Sequence, residues 1–89
     1  MTLIFHTFLR TFEGETPEEI IDELHIESAA GNPKLQEREA WWAHQIEVLS
    51  LFNIVAPPID APDANRKLLE AMVSAGAVEE GPLRTPGLP

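Results

Sequence analysis

The stretch Leu3 to Phe12, LIFHTFLRTF, carries apolar residues on both of its alternating faces. Leu3, Phe5, Thr7, Leu9 and Thr11 fall on one side, and Ile4, His6, Phe8, Arg10 and Phe12 on the other. β-Branched and aromatic types dominate, and neither Gly nor Pro interrupts. The pattern predicts one long strand with both faces partly covered. After Gly14 the period changes from two to that of a helix. Thr16-Pro17-Glu18-Glu19 reads as a capping box with Pro at the first helical position. The Thr16 hydroxyl can accept from the Glu19 N–H, and Glu19 can reach back. A first helix is expected from about Pro17 to Ala29, with Ile20, Ile21 and Leu24 as its buried stripe.

Gly31 ends that helix, and Asn32-Pro33 starts a second that runs to about Phe52. Leu35, Trp42, Ile46 and Leu49 line one stripe of it. Trp41, Val48 and Phe52 line another about a quarter-turn away. Together they cover close to half the circumference, so this helix is expected either to be central or to meet another chain. Ile54 to Ile59, IVAPPI, predicts a stiff extended connector. Asp60 to Asp63 would cap a third helix with Pro62 in its first turn, and Leu68, Leu69, Met72 and Ala75 form its stripe. Gly76 suits a left-handed C-cap, with Val78 as its apolar contact.

One lone strand is not stable in water. The 3–12 segment therefore bends into a hairpin, pairs with residues 77–84, or pairs across a dimer. Each option gives an α+β fold of an N-terminal strand or hairpin followed by three helices. Residues 1–80 read as one small domain and 81–89 as a Gly/Pro-rich tail.

The 89 residues are 44% apolar, enough for one core but not for a deep enclosed pocket as well. There is no cysteine, which excludes disulfides, thiolate metal sites and a Cys nucleophile and suits a reducing, cytoplasmic setting. No apolar run approaches the roughly 20 residues that span a bilayer. Met1 to Phe12 lacks the basic start and small-residue cleavage site of a signal peptide. Fifteen Asp and Glu against six Lys and Arg give a formal charge of −9. Such a chain repels phosphate backbones and anionic lipid, so neither nucleic acid nor membrane is an expected direct partner. It attracts basic proteins, or else its charge serves solubility alone.

Seven carboxylates and no Lys or Arg lie between Glu13 and Glu27. Glu18 and Glu19 belong to the helix cap. Asp22, Glu23 and Glu27 do not, and Ile26 falls among them, opposite the buried stripe. These four are the first candidate protein-binding residues. Trp41, Gln45, Val48 and Phe52 are the second set, with Trp41 balanced between core and interface anchor. The Asp22/His25 and His44/Glu47 spacings can put two ligands on one helix face, but a metal site needs three or four that converge. No metal or cofactor is expected. There is no phosphate loop, dinucleotide turn or nucleophile elbow, so an enzyme is not expected either. Arg66 and Lys67 are too few for the third helix to read DNA.

Phe12, Gly14, Thr16 to Ile21 and Leu24, followed by Leu68 to Val78, form a pattern that resembles small uncharacterised proteins encoded in bacteriophage genomes. Trp41-Trp42 and the IVAPPI connector lie outside it. The resemblance implies a phage or prophage origin, a bacterial host cytoplasm and no assigned activity. Small acidic phage proteins often block a host protein; anti-CRISPR proteins are similar in size and charge, and some act as DNA mimics. The expectation is a non-enzymatic inhibitor that shows an acidic surface to a basic host protein such as a nucleic-acid enzyme. The alternative is a homodimer or larger assembly joined through the second helix or the N-terminal strand.

Overall fold

The computed structural model describes residues 2–82. The chain folds as α+β, with strands β1 (Leu3–His6) and β2 (Thr11–Gly14), helix α1 (Pro17–Ala30), a 3-10 turn (Pro33–Leu35), helices α2 (Arg38–Ser50) and α3 (Ala64–Ser74), and strand β3 (Glu79–Glu80). The sheet is antiparallel in the order β2-β1-β3.

The expected single strand is thus a hairpin, and it pairs with the tail as well. Nothing like Gly or Pro marks the break, because a side chain makes it. The Thr7 Oγ1 accepts from the Leu9 N–H at 3.2 Å, and the Thr7 N–H donates to the Arg10 carbonyl at 3.0 Å. The turn resets the alternation, so Phe5 and Phe12 pair on one face and are both buried. Beyond the hairpin, Gly14 is required by space: a Cβ there would lie 2.8 Å from the Glu19 Cβ. In the cap of α1, the Glu19 N–H donates to Thr16 Oγ1 at 3.3 Å, while the Glu19 carboxylate accepts from the Glu15 N–H rather than from the N-cap residue.

The second helix is shorter than its pattern predicts. Asn32 caps a 3-10 turn, and α2 begins only at Arg38. His25 Nε2 donates to the Leu35 carbonyl at 2.8 Å. A continuous helix would need that carbonyl for the Glu39 N–H, so His25 replaces a helical bond and lets the chain turn. Pro62 lies outside α3, whose N-cap residue Asp63 is left-handed (φ 54°) and makes no side-chain cap bond.

Two helices end alike. After α3, Gly76 (φ 78°) donates to the Val73 carbonyl and Ala77 to that of Met72, each at 3.0 Å. After α2, Asn53 (φ 60°) donates to Ser50 and Ile54 to Leu49, at 3.0 and 3.1 Å. Both are Schellman closures. Val78 and Ile54 then pack toward the core.

The central helix is α1, not α2. It packs on β1, β2, α2, α3 and the 3-10 turn, with Ile20, Ile21 and Leu24 innermost. Trp41, Trp42, Leu49, Leu68, Leu69, Met72 and Val78 complete the core. The Gly81 N–H donates to the Ile4 carbonyl at 2.7 Å and extends the β1–β3 pairing. Residues 83–89 of the expected tail lie outside the described residues. Among the described residues no helix is long and apolar enough to cross a membrane.

Candidate functional site

Although α1 has five packing partners, one ridge of it stays outside. Ile26 lies on that ridge and is 66% exposed. Helical spacing puts Asp22 on one flank and Glu23 and Glu27 on the other. Each flank is held by an arginine. Arg38, from the first turn of α2, pairs with Asp22. Arg10, from the hairpin turn, reaches Glu23 Oε2 with Nη2 at 3.0 Å and Glu27 Oε2 with Nε at 3.2 Å. The Glu27 oxygen is buried, and Arg10 is its charge partner without the alignment of a hydrogen bond.

Both arginines are themselves braced. The Arg10 guanidinium lies 4.6 Å from the Phe12 ring centroid, and that of Arg38 lies 5.9 Å from Trp41. The carboxylates of this ridge are therefore fixed in place rather than freely solvated. They are also largely neutralised: three carboxylates face two guanidiniums. Asp22, Glu23, Ile26 and Glu27 come together as expected, yet they form a charged rim around an apolar centre instead of a bare acidic face. Next to this rim the turn between β1 and β2 raises Phe8, 87% exposed, and Leu9. Phe8, Leu9, Leu24, Glu27 and Ser28 share the wall of an open cleft of about 230 Å³.

The second candidate set loses Trp41. Trp41 is completely buried, with the His25 ring centroid 5.1 Å from its own and tilted by 40°, and Trp42 edge-on at 6.2 Å. It is a core residue and cannot anchor a partner. Gln45 and Val48 are half-buried, and Phe52 is exposed beyond the end of α2. Trp42 is buried too, and its Nε1 donates to the Pro57 carbonyl at 2.8 Å. The Trp41 Nε1 has no acceptor among the described residues.

His25 is occupied by Leu35 and Trp41, and among the described residues no three His, Asp or Glu side chains group as metal ligands. Sequence reasoning passed over Arg10, Phe8 and Leu9; it placed Arg38 on an interface rim of the second helix but not against Asp22. Arg10 and Arg38 lie 13 and 16 residues from their acid partners, beyond the reach of a helix-spacing rule. No family model, no curated protein and no solved structure matches the chain.

Proposed function

We propose that this chain is a non-catalytic protein-binding module whose contact surface is the outer ridge of α1 with the adjoining hairpin turn. The observation that carries this reading is Ile26, two-thirds exposed between the Arg38–Asp22 pair and the Arg10–Glu23/Glu27 cluster. An apolar centre inside a polar rim is the anatomy of a protein interface. Side chains already fixed by ion pairs and aromatic rings lose little further freedom when a partner arrives. Phe8 and Leu9 add apolar area beside the rim.

The net charge of −9 favours a partner with a basic surface. Nucleic-acid enzymes carry such surfaces, and the resemblance to phage-encoded proteins supports a bacterial cytoplasm as the setting. On this reading the chain inhibits by covering the basic surface. The ion-paired state of Asp22, Glu23 and Glu27 gives the charge a steering role, while Ile26, Phe8 and Leu9 supply the close contact.

The test is capture from bacterial lysate on immobilised chain, with Ile26→Glu as the control. Ile26 makes no ion pair, so this variant keeps the rim intact. A protein held at low salt, released at high salt and lost with Ile26→Glu supports the reading. A protein held equally by both chains contradicts it.

A further inference from the structure

The exposed apolar residues have a second concentration, away from α1, in the connector between α2 and α3. Leu51 is 79% and Val55 95% exposed, and Phe52 and Ile59 project from the same stretch. The connector is not loose. The Asn53 closure fixes its start, Ala56 is buried, and the Trp42–Pro57 hydrogen bond pins its middle. Ile54 and Ala56 turn inward, which leaves Val55 outward on a backbone held from both sides.

Charge decides what fits there. From Val48 to Ile59 the chain has no charged residue, its longest such run. Four other exposed apolar side chains stand among charges: Ile26 between two groups of ion pairs, Phe8 and Leu9 beside Arg10 and Glu27, and Val73 in a cleft with Arg66, Glu70 and Glu80. A basic partner finds no carboxylate between Val48 and Ile59; Asp60 and Asp63 stand only at the far end of the connector. A second copy meets no like charge within this run, so the repulsion between two chains of −9 is weakest there.

We infer that the connector is a self-association surface, occupied by the same connector of a second copy around a two-fold axis. In such a contact the patch meets itself, so any charge in it would face its like. Buried completely, the exposed parts of the four connector side chains in two copies remove on the order of 1,000 Å² in total, the lower limit for a specific interface. The dimer is therefore weak, and it presents two α1 ridges at once.

The experiment is sedimentation equilibrium from about 10 µM to about 500 µM, the range in which so small an interface dissociates, at low and high salt. The result expected is a monomer–dimer equilibrium that tightens with salt, because salt screens the repulsion between acidic chains and leaves the apolar contact. Val55→Asp and Leu51→Lys each weaken it about tenfold or more. They change the net charge in opposite directions, so net charge alone would shift the equilibrium in opposite directions. Ile26→Glu dimerises as the unchanged chain does, which keeps this surface separable from that of α1. A monomer at every concentration, a dimer that salt dissolves, or a dimer indifferent to both connector variants overturns the inference.

Discussion

Trp41→Phe and Trp42→Phe are the same chemical change at neighbouring, equally buried positions, and the structure predicts unequal costs. Each substitution removes similar volume from the core, so the packing loss largely cancels in the comparison. Trp42→Phe also loses the hydrogen bond to the Pro57 carbonyl, 2.8 Å long, a net loss of about 1 kcal/mol. Trp41→Phe loses no such bond and removes a buried N–H that has no acceptor among the described residues, which relieves about 1–3 kcal/mol of desolvation cost. Trp42→Phe should then be the worse of the two by about 2–4 kcal/mol. For a domain of this size that is roughly 8 °C or more in Tm. Urea unfolding followed by far-UV circular dichroism measures both, independently of the changed fluorophore. Equal losses, or a larger loss for Trp41→Phe, would show that the Trp42–Pro57 bond does not set the difference. Because the Trp42 bond pins the connector, Trp42→Phe should also weaken self-association, and Trp41→Phe should not.

Arg10→Ala should cost about 1–2 kcal/mol in a thermal melt, from two partly exposed ion pairs and the stack on Phe12. Arg10→Lys should not restore it, since a point charge cannot serve both carboxylates and the ring together. Gly76→Ala should lose about 1–2 kcal/mol because φ is +78° there, whereas Gly31→Ala, at φ −104° with open space around it, should be neutral or stabilising in the same melt. Gly14→Ala should cost about 1–3 kcal/mol by overpacking against Glu19, read as a lower urea midpoint.

Local chemistry was legible wherever it was decided locally. Thr16-Pro17 marks the start of α1, Ile20, Ile21 and Leu24 are its buried stripe, and Gly76 sits left-handed after α3. The misses have distant or ambiguous causes. The bend in the hairpin depends on one hydroxyl, and Thr7 looks like any strand residue until it accepts from Leu9. The Leu35 carbonyl at the break before α2 is taken by His25, ten residues earlier. Trp41 and Trp42 point about 100° apart on a helix, so periodicity could bury only one with assurance; α1 and His25 bury the other. Asn53 did carry a signal, since Asn is the second choice after Gly for a left-handed helix end. For the site, the sequence supplied the acids and Ile26, but not the pairing of Arg10 and Arg38 with them that converts an acidic face into a rim.

The most direct test of the α1 ridge uses the absence of cysteine. An environment-sensitive dye is placed through Ala30→Cys, an exposed position one turn beyond Ile26, or through Ser50→Cys, an exposed position at the end of α2. The captured partner is then titrated against each labelled chain. The emission of the dye at residue 30 should shift and saturate while that at residue 50 stays unchanged. A complex that forms with the residue 30 dye unmoved would contradict a contact on the α1 ridge.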